Sequence, residues 1–119
     1  PAHHLAMGRT LQPLRDDGIL VLGSGGATHN LREIFIHTHE SEIPGYVRAF
    51  NAWLKDAVIN NHQEDLLDYL NKGPNGRRNH PTAEHFLPLF VPMGAGGKGR
   101  LLHSAYTFGV LSMAAFAWE

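Results

Sequence analysis

The chain has 119 residues, 43% hydrophobic and 18% charged, which suits one globular domain and excludes a disordered or fibrous chain. Ten Lys plus Arg against 11 Asp plus Glu leave a net charge of -1, so no global field draws in nucleic acid or an anionic membrane surface. No apolar run approaches the roughly 20 residues of a membrane span, and with no Cys and nine His any transition metal must be held by imidazole and carboxylate; a cytoplasmic protein is the expectation.

The chain opens at Pro1 without an initiating Met, as expected of a processed, cut or subcloned fragment. Leu5, Met7, Leu11 and Leu14 recur at roughly helical spacing and predict a helix over 3–17, which Pro13 should distort near its end and Gly18 should stop. The uninterrupted apolar run Ile19-Leu20-Val21-Leu22 between glycines reads as a strand buried on both faces of a sheet. A glycine-rich loop, Gly23 to Gly26, follows directly and brings Thr28, His29 and Asn30 to the strand's end, where ligands bind in open α/β sheets.

Ile34 to Ile36 reads as a brief helical turn or strand, and the polar segment 37–44 as a loop. Tyr46, Phe50, Trp53, Leu54, Ala57 and Val58 mark an amphipathic helix that ends near Asn60-Asn61, and a further helix is expected over 63–71. Lys72 to Gly76 breaks the chain before His80-Pro81-Thr82-Ala83-Glu84-His85, where Thr82 is placed to cap a new helix. Pro88 and Pro92 should keep any helix over 86–91 short or kinked, and 94–99 reads as a loop. Tyr106, Phe108, Val110 and Leu111 suggest one strand and Ser112 to Trp118 another, completing an α/β pattern.

The loop Gly23 to Asn30 has the look of a phosphate cradle but lacks the last glycine of the dinucleotide fingerprint and the Lys-Ser/Thr pair of a P-loop. A glycine turn presenting an imidazole also suits general acid/base work, so His29 is a proton carrier or a loop histidine bonded to backbone. His80 and His85, around Glu84, are candidates for metal ligation, although the i, i+4 spacing of a zincin helix is absent. Glu84 and His85 are neighbours, and either is a competent iron ligand.

Three stretches together resemble a known family. Gly18 to Arg32 (GILVLGSGGATHNLR) is similar to the catalytic-histidine strand and loop of the class III extradiol ring-cleavage dioxygenases, in the branch that includes DOPA 4,5-dioxygenases. His80 to Leu89 (HPTAEHFLPL) resembles the segment that supplies that family's last metal ligand. Phe50-Asn51-Ala52-Trp53 lies between them as in the family, and Leu111-Ser112-Met113 resembles its closing strand.

The resemblance implies an α/β fold with a mostly parallel sheet flanked by helices, of which residues 1–119 form the carboxyl-terminal half of a larger single-domain dioxygenase; the amino-terminal half would be absent. It implies a mononuclear non-haem metal, Fe(II) or in its place Zn(II), at which O2 opens a catechol-type, DOPA-like ring. On this reading His85 is a metal ligand, His29 shuttles protons, and His80, Asn30 and Thr28 contact substrate or support the site from behind. The missing half is then a required partner, and self-association into a homo-oligomer would cover the exposed sheet edge. His3 and His4 are assigned to the surface or the substrate side, and His37, His39, His62 and His103 to solvated or structural roles. Two alternatives stand beside this reading: a non-catalytic association module of the same fold, and a zinc-dependent hydrolase with an activated water beside His85 and Glu84.

Overall fold

A computed structural model describes residues 1–38 and 41–119 of the chain; His39 and part of the expected 37–44 loop lie outside the described residues. Helix α1 (Ala2–Leu11) passes into a 3-10 turn over Gln12–Arg15. Pro13 accounts for the change, because it has no amide to offer the helical ladder. The single helix expected to Asp17 therefore ends at Leu11.

The strand expected at 19–22 does not form. The segment has no regular secondary structure and belongs to neither sheet, and Leu20 and Leu22 are 82% and 79% exposed. A strand needs a neighbour's amides and carbonyls to complete its ladder, and no strand among the described residues supplies them.

Helix α2 (Gly45–Ile59) is the central element and buries Val47, Phe50, Asn51, Leu54, Ala57 and Val58 along one face. The helix expected over 63–71 is two short ones, α3 (Gln63–Leu67) and α4 (Tyr69–Lys72), broken where Asp68 leaves helical geometry at φ -105° and ψ 33°. A single turn, α5 (Gly76–Asn79), follows the breaker. Thr82 caps no helix: residues 81–86 form turns, and its hydroxyl donates to the Glu84 carboxylate at 2.7 Å. A 3-10 turn (Leu87–Leu89) and α6 (Phe90–Ala95) are short, in keeping with Pro88 and Pro92, and α6 packs along α1.

Strands β1 (Gly99–His103) and β4 (Ala115–Trp118) pair antiparallel, as do β2 (Tyr106–Thr107) and β3 (Leu111–Ser112). Phe108 and Gly109, at φ 51° and 66°, turn β2 back onto β3, so the stretch expected as one strand is a hairpin. The class is α/β, but the sheets are small and antiparallel instead of mostly parallel. The reason is connectivity: a hairpin turn joins β2 to β3, and the link from β1 to β4, residues 104–114, falls short of the dozen or more residues that a parallel crossover requires.

Phe50, Leu54, Leu66, Tyr69, Phe86 and Phe90 form the centre of the core, with Leu5 of α1 and Met93 of α6 at its edge. Among the described residues no helix is long and apolar enough to cross a membrane.

Candidate active site

The glycine loop lies directly against the segment that carries His85. A Cβ on Gly25 would sit 2.2 Å from the His85 carbonyl oxygen, and one on Gly23 would sit 2.2 Å from that of Pro88. Glycine is required at these positions because the two backbones touch. Three hydrogen bonds then clip the loop to residues 79–85. The Gly26 amide donates to the His85 carbonyl at 2.8 Å and the His29 amide to the Asn79 carbonyl at 2.9 Å, while His80 Nε2 lies 3.0 Å from the Ala27 carbonyl oxygen.

The result is that the rings of His29 and His85, 56 positions apart in sequence by subtraction of their numbers, stack face to face with centroids 3.6 Å apart and planes inclined by 19°. Glu84 Oε1 stands 3.6 Å from His85 Nδ1, beyond hydrogen-bond reach, and both side chains are partly open to solvent. Partial burial, and after it the adjacent His85, hold the His29 imidazole below its usual range. A hydrogen bond from Thr82 keeps the Glu84 carboxyl below the usual carboxylate range.

His80 is buried at 2% exposure, and burial brings its pKa down to about 4. Its ring packs against Phe50, Tyr69 and Phe86, so it offers no surface to a substrate. Thr28 is equally enclosed: its hydroxyl donates to the Val110 carbonyl at 2.9 Å and accepts from the Ser112 amide at 2.6 Å. In this arrangement its contacts are with the fold. Asn30 donates to Glu33 Oε1 at 3.0 Å, and its own Oδ1 is buried without a hydrogen-bond partner among the described residues.

Two polar clusters escaped the reading of the sequence. The Ser112 hydroxyl donates to Asn51 Oδ1 at 2.6 Å and Asn51 Nδ2 to the Tyr106 hydroxyl at 2.7 Å, continuing the Thr28 anchor into α2 and the hairpin. A signal for it exists, since Asn51 is a polar residue within the apolar stripe of Val47, Leu54 and Val58. Arg78 binds both oxygens of Glu33 at 2.9 and 3.2 Å and lies 3.8 Å above the Tyr46 ring, while the Tyr46 hydroxyl donates to Glu33 at 2.9 Å. Burial, then Glu33, raises the Tyr46 pKa to about 12. No spacing in the sequence announces this cluster.

His85 borders a groove of about 700 Å³, together with Leu20, Gly23 and Gly25 on one side and Met113, Phe116 and Trp118 on the other. His29 is not part of its lining. The histidines read as peripheral stay apart from this pair: His3, His62 and His103 are exposed, and His62 lies 3.7 Å from Asp56. Imidazole is a suitable donor for Fe(II) or Zn(II), yet among the described residues no three His, Cys, Asp or Glu side chains converge on one point. The donor chemistry fits a mononuclear metal, and the number of ligands falls short of a complete set.

Comparison with known proteins agrees with these motifs. The chain is 40% identical over 118 residues to the 4,5-DOPA dioxygenase extradiol of Portulaca grandiflora, covering 96% of this chain and 43% of that protein. It is 37% identical over 117 residues to the enzyme of the same name from Beta vulgaris, again 96% of this chain and 43% of that one. The crystal structure of an uncharacterized protein from Escherichia coli K12 superimposes with a TM-score of 0.83 at 34% identity, covering 97% of this chain and 49% of the other. The chain thus spans about half the length of the relatives it matches. Residues 1–117 match the family described as the catalytic LigB subunit of aromatic ring-opening dioxygenase, and the chain belongs to that family.

Proposed function

We propose that this chain contributes part of the active site of an extradiol dioxygenase, which opens a catechol-type, DOPA-like ring with O2 at one non-haem metal, Fe(II) or alternatively Zn(II). Family membership and the names of the relatives favour this reaction class. The observation that carries the assignment to particular residues is the stacking of His29 on His85 at 3.6 Å.

His85, half exposed on the groove wall, would be one metal ligand, its neutral imidazole offering a lone pair. The other ligands would come from sequence that the longer relatives carry beyond the matched half. The bound metal would supply the Lewis acidity and electron transfer that join O2 to the diol. His29, its pKa lowered by partial burial and by the adjacent His85, is suited to accept a phenolic proton and return it later; such groups typically contribute about 10²- to 10⁴-fold in rate. His80, Asn30 and Thr28 would act from behind, fixing the loop that aims His29. The apolar segment 19–22 would take its place in a larger, mostly parallel sheet once strand partners are present.

The test is to supply the remaining half of the Portulaca grandiflora relative, fused upstream, and to measure metal content and oxygen uptake. Stoichiometric iron or zinc with catechol-dependent oxygen consumption is the expected result. A folded protein that binds no metal at neutral pH would instead support an association module, and ester turnover without oxygen uptake would support a hydrolase.

A further inference from the structure

We propose that His80 is a positioning residue, whose Nε2–H tether to the Ala27 carbonyl holds the glycine loop in the register that stacks His29 on His85. The inference rests on the reading of His29 and His85 as a working pair, but its test measures neither metal nor activity.

Of the three hydrogen bonds that clip the loop to residues 79–85, two run between backbones and the third comes from the His80 side chain, while the Thr28 hydroxyl ties the loop separately to Val110 and Ser112. The His80 bond falls between the other two, at Ala27, with Gly26 and His29 on either side. A carbonyl oxygen only accepts, so Nε2 must carry the hydrogen and Nδ1 must be bare. Nδ1 is indeed buried with no hydrogen-bond partner among the described residues.

That arrangement is costly for a residue whose task is packing. The ring sits among Phe50, Tyr69 and Phe86, with centroids 5.4, 5.8 and 4.5 Å away, where an apolar side chain would fill the space without an orphaned nitrogen. What the imidazole adds is a single donor aimed at the backbone two residues before His29. Losing it releases the Ala27 carbonyl while the Gly26 and His29 amides and the Thr28 hydroxyl stay bonded, and the turn that aims the His29 ring at His85 loses the tie that sets it.

Gln and Met are matched replacements, similar in length and volume, of which only Gln keeps a donor near the Nε2 position. In the 119-residue chain at neutral pH, nuclear Overhauser contacts between the His29 and His85 rings should persist in His80→Gln and vanish in His80→Met. The aromatic ring-current shifts of the Phe50 and Phe86 cluster should remain in both. Retention of the inter-ring contacts in a folded His80→Met chain overturns the proposal, as does equal loss in both folded variants. Should His80→Met fail to fold, ¹⁵N spectra of the unaltered chain decide: a slowly exchanging proton on His80 Nε2 supports the tether, and the Nδ1–H tautomer overturns it. Failure of the metal or oxygen-uptake experiment would leave these results standing.

Discussion

Three imidazoles near one loop are made chemically distinct by their surroundings. His85 is partly open and faces the groove, His29 is shielded by His85 and partial burial, and His80 is sealed among aromatic rings. The pKa of His80, brought down by burial to about 4 from the ordinary 6.5 of an imidazole, has a direct consequence for stability. Between those values the unfolded chain binds a proton that the folded one refuses, so stability is fully present above about pH 6.5. It falls as the pH drops toward 4, by roughly 3 kcal/mol if the whole difference is realised. Urea unfolding at pH 7 and at pH 4.5 should show this loss, and His80→Gln should reduce it. An equal loss in His80→Gln would assign the pH sensitivity to other groups.

At the level of elements, α2 was legible because Phe50, Leu54 and Val58 repeat at helical spacing, and the two histidine-bearing stretches were legible as motifs. What the residue pattern could not convey was pairing. The run 19–22 has the composition of a buried strand, yet it lacks a partner here, and composition does not say who the partner is. The hairpin at Phe108-Gly109 was missed because a non-glycine residue enters the left-handed region there. The polar anchor Thr28–Ser112–Asn51–Tyr106 is tertiary, joining loop, hairpin and helix through residues far apart in sequence. Replacing Thr28 by Val keeps the side-chain shape but leaves the Ser112 amide and the Val110 carbonyl without this partner. A loss of about 1–3 kcal/mol in chemical denaturation is expected, with faster amide exchange at Ser112. A Thr28→Val chain as stable as the parent would remove the anchor from the account.

On the scale of the whole molecule, the apolar segment 19–22 lines a groove of about 700 Å³ and leaves Leu20 and Leu22 exposed. Leu20 and Leu22 project from a backbone that neither sheet includes. Unpaired edges of this kind associate with other chains. Sedimentation should therefore show concentration-dependent self-association of the 119-residue chain, weakened in the Leu20→Lys, Leu22→Lys double variant. A monomer at all concentrations would show that the open side is solvated as it stands.

The division of labour within the stacked pair is tested most directly by metal content. With the remaining half of a relative supplied, His29→Ala should retain its iron or zinc while ring opening slows by about 10²- to 10⁴-fold, and His85→Ala should lose the metal. If His29→Ala emptied the site and His85→Ala left it filled, the roles assigned to the two imidazoles would be wrong.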